Sequence, residues 1–377
     1  MLTRRRLRAL ADPFAWKAGA RCAEGKVQEG LLLIEAGGLG DVMMLSCLID
    51  AFRPLADADE PITLLLRRES AKAAFTLPPD VRVEIRDFYR LMTESRYRFR
   101  TLADLRALNF RKVVSLDWRR HPWMDDALLM ATAHGSAFSA AFHPKPWPKF
   151  GNALEKNARR LTQLVEAPRP ASMIERWLFL AEAITRQPPP IPVLRLHEKL
   201  LAVPAEPLDR PTILFSPFAS SRDRQPLPDF WEALALEFQE FDIKLLAGPG
   251  DIERNLDFAG MASRLGVIER PFPDLLPLFK AARLVIATDS ATMHLASLSG
   301  VPTLSLSAAA YQGEVLPHAK AYAPANLKVM VADMPCKGCI GDCTLPFRGE
   351  RYECVARLDV NETVKLANEM LKTAPDA

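Results

Sequence analysis

Three groups of side chains in this sequence have types and spacings that could do chemistry. The first is the turn Thr288-Asp289-Ser290-Ala291-Thr292, followed by His294 and set between the apolar runs 284–287 and 303–306. A buried strand, a turn of small residues and hydroxyls, and an amphipathic helix over 291–299 leave unpaired backbone N–H groups at a helix N-terminus. Those donors and the helix dipole together favour a phosphate. His294, five positions after Asp289 on that helix, is the best placed of the six histidines to meet such a ligand. The second group is Ile34-Glu-Ala-Gly-Gly-Leu-Gly-Asp-Val42. Its glycines, Gly38 and Gly40 among them, let the backbone approach a ligand closely. The spacing is not G-x-G-x-x-G, so a dinucleotide site is weakly supported, and Asp41 reads by itself as an N-cap or first-turn acid of a helix over 42–52. The third is Cys336-x2-Cys339-x3-Cys343-x10-Cys354, four of six cysteines within nineteen residues. In a reducing compartment this spacing reads as a closed tetrahedral thiolate site, structural because no position is left open. Zinc is the default ion and iron the alternative. Cys22 and Cys47 read as isolated thiols.

Two further stretches carry polar chemistry. Within 215–228, Ser220 and Ser221 offer hydroxyls to phosphate oxygens, and Arg222 and Arg224 offer charge. In the first half, Arg67, Arg68, Lys72 and Asp117-Trp-Arg119-Arg120 follow expected strands, where arginines suit bidentate binding of carboxylate or phosphate. The alternative for any one of them is a solvated basic surface.

These groups need elements to hold them. At 377 residues the chain is long enough for two domains, and 49% apolar with 25% charged residues is ordinary for a soluble globular protein. The net charge of +3 makes no demand for nucleic acid. Short apolar runs at 31–34, 62–66, 81–85 and 113–116 alternate with helical patterns, including 154–165 and 172–185. A proline-dense connector follows at 187–211, and the alternation restarts with strands at 212–215, 243–247, 284–287 and 303–306. Helices are expected between them at 229–238, 252–264, 275–282 and 291–299. Strands alternating with helices predict an α/β protein with parallel sheets covered on both faces. The expected organisation is a basic leader (1–29), an N-terminal Rossmann-like domain (30–186), a linker (187–211), a C-terminal Rossmann-like domain (212–358) with the cysteine loop 336–354, and a last helix (359–377) packing back toward the first domain.

The block 285–306 closely resembles the signature of glycosyltransferase family 9, the ADP-heptose:lipopolysaccharide heptosyltransferases, and Gly38-Leu-Gly-Asp-Val42 resembles the element that opens these enzymes. The resemblance implies the GT-B architecture, with two Rossmann-like domains facing across a cleft. It also implies inverting heptose transfer from ADP-heptose to a lipopolysaccharide inner-core acceptor, with Asp41 as general base. Ser220, Ser221, Arg222, Arg224, Gln225, Gly248, Asp289, Ser290, Ala291, Thr292 and His294 then become donor-binding positions. Gly38, Gly40, Arg67, Arg68, Asp117, Arg119 and Arg120 fall on the acceptor side. The chain departs from the family pattern at Phe218 and Ala291, where glycine is usual, and at Gln225, the usual lysine slot; Arg222 or Arg224 could supply the missing charge. No Asp-x-Asp element stands where a metal-bridged diphosphate would need one, so no metal is expected in the chemistry.

The expected partners are a nucleotide-sugar donor and an anionic glycolipid, or a protein, as acceptor. No run reaches the roughly 18 apolar residues of a membrane span, and residues after the first arginines break any export signal. The expected location is therefore the cytoplasm, with a basic segment carrying Phe14 and Trp16 able to rest on the inner membrane face. Two competing readings remain: transfer to a protein or from another nucleotide sugar, and a non-catalytic, metal-stabilised scaffold.

Overall fold

A computed structural model describes residues 9–26, 28–145 and 150–373. Arg4, Arg5, Arg6 and Arg8 of the expected basic leader lie outside the described residues. The chain divides into two compact units, Met1–Arg169 with Ile174–Pro190 and Pro170–Met173 with Ile191–Ala377.

The sheet of the first unit contains β1 (Glu29–Glu35), β2 (Ile62–Arg67), β3 (Val81–Arg86), β4 (Phe110–Ser115), β5 (Phe138–Phe142) and β6 (Gln163–Val165). All pairings are parallel, in the order β3-β2-β1-β4-β5-β6. The central strand carries Leu31-Leu-Leu-Ile34, fully buried, as a parallel strand covered on both faces requires. Chain direction across the sheet reverses between β1 and β4, the switch point where open α/β sheets bind ligands beyond their carboxyl ends.

The stretch expected as a leader instead includes helix α1 (Asp12–Ala23). Gly19 lets α1 press against a later helix, since a Cβ there would collide with the carbonyl of Ala103. Asp12 accepts both bonds of a bidentate pair from the buried Arg98 (2.6 and 2.5 Å). The apolar run expected as a helix over 42–52 forms α2 (Leu39–Ser46) followed by two 3-10 turns at Ile49–Ala51 and Arg53–Leu55. Arg98 belongs to α3 (Ser95–Ala107), which is followed by α4 (Asp125–Ala133). The pattern expected as one helix over 154–165 breaks into the helix Gly151–Ala158 and strand β6, before α5 (Met173–Thr185).

The second unit repeats the plan with β7 (Thr212–Ser216), β8 (Asp242–Ala247), β9 (Val267–Glu269), β10 (Leu284–Thr288), β11 (Thr303–Ser307) and β12 (Leu327–Val331). Its order, β12-β11-β10-β7-β8-β9, has the same switch, now between β7 and β10, where Ala287 pairs with Ser216. Phe215, Trp231, Phe238, Phe258, Ile286 and Leu306 fill its core. Helix α6 (Pro228–Glu237) starts on a proline at its first position, where no N–H is missed. Helix α7 (Ala291–Ser299) ends on Gly300 in the left-handed conformation, a stop that glycine adopts without strain. The last helix, α8 (Val360–Thr373), packs against α6 and β10, and Ala367 and Met370 join the core of the second unit. Its apolar stripe is used within its own unit. Among the described residues no helix is long and apolar enough to cross a membrane.

Candidate active site

The sequence-selected residues collect at the two switch points. In the first unit, β1 ends in Glu35 and the glycine turn leads into α2, with Asp41 in the first turn of that helix. The Asp41 carboxylate accepts from the amide of Gly38 (2.6 Å), closing the helix start. Gly37 is needed for room: a Cβ there would collide with Asp41 Oδ2 and Glu35 Oε1. Asp117, after the neighbouring strand β4, accepts from the amide of Ala36 (3.0 Å). Burial is the main cause that pushes Asp117 up to about 7; the Ala36 amide, Arg120 and Arg67 oppose this and the Asp41 charge adds to it. Gly38 caps α2 and Gly40 lies in its first turn.

The arginines separate. Arg67 lies at the end of β2, close enough for its charge to act on both Glu35 and Asp117. Arg68 is largely exposed and reaches Asp87 at 3.4 Å. Arg119 is exposed. Arg120 has no solvent exposure and donates to Asp126 (2.9 Å) and to the carbonyl of Phe142 (2.7 Å). An acceptor cannot reach it, so Arg120 is an internal brace and not the acceptor contact expected. A basic group absent from the sequence reading surrounds Trp118, whose ring meets Arg169 at 4.3 Å, Arg176 at 5.0 Å and Lys145 at 5.6 Å. Three cations on one indole gather positive charge beside the same strand end. Their sequence positions, 145, 169 and 176, are too scattered to show as a cluster before folding.

In the second unit, β7 leads into the turn holding Ser220 to Gln225, and β10 into Asp289 and Ser290. Thr288 Oγ1 donates to the carbonyl of Pro217 (2.9 Å), tying the two strand ends together. Arg224 is the cation at this point: it donates to Ser220 Oγ (2.7 Å), and its charge acts on both Asp289 and His294. Arg222 is held elsewhere, on Asp257 (2.9 Å) and Glu350 (3.0 Å), and Ser221 donates to Asp223. Gln225 is buried, donating from Nε2 to the carbonyl of Ala219 (3.0 Å), so it organises the turn from beneath. Phe218 is also buried and packs edge-on against Phe258 at 5.1 Å. Two of the three departures from the family pattern, Phe218 and Gln225, thus fill the interior.

Ser290 caps α7 without a side-chain cap bond, and its buried Oγ has no partner among the described residues. Ala291 and Thr292 open the helix, half-buried. His294 Nε2 stands 3.8 Å from Asp289 Oδ1, beyond hydrogen-bond reach. Burial first, then Arg224, holds the imidazole down to about 4, so it is neutral near pH 7 and the two do not form an ion pair. Burial pushes the Asp289 carboxyl up, against the pull of Arg224. Sequence reasoning missed His318, which neighbours His294 and is likewise lowered to about 4, mainly by burial. Gly248, at the end of β8, donates to Asp251 (2.7 Å) in an ordinary capped turn.

The cysteine loop braces this region. Gly338 and Ile340 donate to the carbonyls of Ala309 (2.9 Å) and Ala310 (2.7 Å). The buried Arg351 donates to the carbonyl of Gln225 (3.0 Å) and to Asp257 (3.1 Å), and the Tyr352 amide donates to the carbonyl of Asp223 (2.8 Å). All four thiols are free; Cys336, Cys339 and Cys343 pack half-buried against the core that contains Cys354. Burial chiefly pushes the Cys354 thiol up, with a further push from Cys343 and Cys336. As placed, they do not form a ligand set: among the described residues no three His, Cys, Asp or Glu side chains converge to hold a metal ion.

The sequence profile of Glycosyltransferase family 9 (heptosyltransferase) matches residues 124–341, more than half of the chain. No curated protein matches significantly. Among solved structures, the ADP-heptose lipopolysaccharide heptosyltransferase II of E. coli aligns at 16% identity and TM-score 0.61, over 91% of this chain and 99% of that one. The family 9 glycosyl transferase from Veillonella parvula DSM 2008 aligns at 12% identity and TM-score 0.66, over 93% and 99%. The iron-containing dodecameric glycosyltransferase TibC from enterotoxigenic E. coli H10407 aligns at 13% identity and TM-score 0.52, over 92% and 77%. At these identities the likeness establishes the GT-B fold. With the profile match covering most of the chain, the protein belongs to glycosyltransferase family 9, the heptosyltransferases, and is a glycosyltransferase.

Proposed function

We propose that this enzyme transfers heptose from ADP-heptose to an anionic lipopolysaccharide inner-core acceptor with inversion of configuration. The observation that carries this is the content of the two switch points: a tethered carboxylate in the first unit, and an arginine, an unpartnered serine hydroxyl and a helix N-terminus in the second. The second unit takes the donor. Arg224, Ser220, Ser290 and the first amides of α7 meet the diphosphate, and His294 acts as a neutral imidazole toward the sugar phosphate. The first unit takes the acceptor. Arg67, Arg68, Arg119 and the Trp118 cations bind its phosphates or carboxylates.

Asp41 removes the proton from the acceptor hydroxyl as that oxygen attacks the anomeric carbon. The carbon–oxygen bond to the diphosphate breaks, and ADP leaves with the electron pair. Its charge is met by donors already in place, which need no reorganisation during the reaction. Attack opposite the leaving group inverts the centre, and the proton passes from Asp41 to water. Donor preference is open to test, because the pocket chemistry recognises the diphosphate more directly than the sugar. Phe218 and Gln225 lie in the interior, so neither removes a donor contact, which weighs against a non-catalytic scaffold. Phe14, 67% exposed on α1, supports apposition to the cytoplasmic face of an anionic membrane.

The test is ADP release from ADP-heptose with a heptose-deficient lipopolysaccharide core. Asp41→Ala is expected to lower turnover by about 10²–10⁴-fold, the usual contribution of a general base. Release from another nucleotide sugar, or with a protein acceptor only, would replace the substrate assignment; wild-type turnover in Asp41→Ala would reject the mechanism.

The four cysteines are proposed to take a structural zinc or iron ion, on their spacing and their seating in one core, and on the iron named for TibC. Binding would draw the thiols closer than they stand here and cross-link the loop, without entering the chemistry. Elemental analysis should find about one ion per wild-type chain and far less in Cys339→Ser; equal, near-zero content in both rejects the site.

A further inference from the structure

The turn after β1 places three consecutive amides on three different carboxyl groups. Ala36 donates to Asp117 (3.0 Å), Gly37 to Glu35 (2.6 Å) and Gly38 to Asp41 (2.6 Å). Successive N–H groups in a glycine turn make an anion-binding concavity of the kind that elsewhere cradles phosphate. Here each donor is already taken by the protein's own acid, so the turn is a holder for carboxyl groups and not a phosphate site. The tightness at Gly37, where a Cβ would meet both Glu35 and Asp41, shows how closely two of the acids approach.

We propose that Glu35 and Asp117 are positioning residues for Asp41: together they fix the turn that aims it. The proposal rests on the reading of Asp41 as the base.

The charges around the group are set out by element. Glu35 closes β1, Asp41 opens α2, Arg67 ends β2, and Asp117 follows β4 with Arg120 and Asp125 beyond it. Arg67 acts on Glu35 as a neighbouring cation, whereas Asp117 and Asp41 both oppose its charge more strongly, and its side chain is enclosed. Three acids this close in a desolvated place cannot all ionise. Burial first, then Asp117 and Asp41, pushes Glu35 well above the carboxylate range, while Asp117 titrates near 7. A neutral Glu35 adds no like charge beside the Asp41 carboxyl. Ionisation of Glu35 would set two like charges beside Gly37 and spread the turn.

The experiment uses the full-length enzyme with Glu35→Gln, Glu35→Ala and Asp117→Asn. It measures kcat and KM from pH 5.5 to 9, and the thermal midpoint from pH 5 to 8. Glu35→Ala should lower kcat on the order of 10²-fold with KM within about twofold, and the neutral isostere Glu35→Gln should recover to within about threefold of wild type. Asp117→Asn should shift the pH profile of kcat/KM near 7. A group whose folded pKa is raised keeps its proton where the unfolded chain has lost it, so its stabilising effect is lost as pH rises through the folded value. Wild type should therefore lose stability relative to Asp117→Asn from pH 5 toward 7, so removing the acid flattens its share of the curve. Equal damage by Gln and Ala, or wild-type rates in both, would overturn the proposal, as would an unflattened stability curve. The stability arm needs no substrate. A wild type that transfers no sugar would sink the functional reading alone, and the curve would still decide whether the acids are coupled.

Discussion

Asp41 is visible in the sequence as a first-turn acid after a glycine turn and Asp117 as an acceptor-side candidate; that both share a turn with Glu35 is not. Glu35 reads only as a residue of the glycine turn after the apolar run 31–34 and Asp117 as one member of a basic-looking stretch, and only parallel pairing of β1 with β4 brings them to one turn. His318 was equally hidden, 24 residues beyond its neighbour His294 (318 − 294). The two imidazoles make a pH statement of opposite sign to the acids. A histidine lowered to about 4 resists protonation in the folded state, so stability is full above about 6.5 and falls as pH drops toward 4. Each contributes roughly 3 kcal/mol at most, since one pKa unit is about 1.4 kcal/mol. His294→Gln and His318→Gln should each make the acid-side decline shallower in thermal melts between pH 4 and 7. A slope equal to wild type in both would show that neither imidazole is held neutral.

At the scale of the elements, the turn from β7 to α6 explains why the departures from the family pattern do not strip the site. In the proposed site the charge expected at position 225 falls to Arg224, because the 3-10 turn Arg222–Arg224 holds that side chain on Ser220 while Gln225 bonds to the carbonyl of Ala219. Restoring a lysine by Gln225→Lys should then fail to tighten ADP. It should destabilise the fold by about 1–3 kcal/mol, because a buried amide paired to Ala219 becomes a buried cation without a partner. Calorimetric titration with ADP and urea unfolding check both; tighter ADP binding in a stable variant would put position 225 at the phosphate. Legibility followed the same physics. Strands buried on both faces, such as β1, β7 and β10, announced themselves as continuous apolar runs, and α7 was read with its observed bounds. The edge strands β6 and β9 have three residues each, with two apolar residues apiece, a run too short to stand out before pairing with the neighbouring strand. Helix α1 was missed because its small buried residues, Ala15 and Gly19, carry no strong apolar stripe.

For the molecule as a whole, one strand order occurs twice, and each copy places its candidate site residues beyond the switch between its first and fourth strands. The sequence supported two α/β units and the residues at both switch points. It could not show which arginines face solvent, because burial of Arg120 and the gathering of Arg169, Arg176 and Lys145 on Trp118 are consequences of tertiary packing. The division of labour is the central claim: the second unit holds the donor, and the first removes the proton. Donor affinity and turnover measured side by side in Asp41→Asn and Arg224→Ala test it most directly. Asp41→Asn should bind ADP-heptose within about twofold of wild type yet lose on the order of 10²-fold or more in turnover. Arg224→Ala should lose donor affinity. Wild-type turnover in Asp41→Asn, or unaltered donor affinity in Arg224→Ala, would contradict the account.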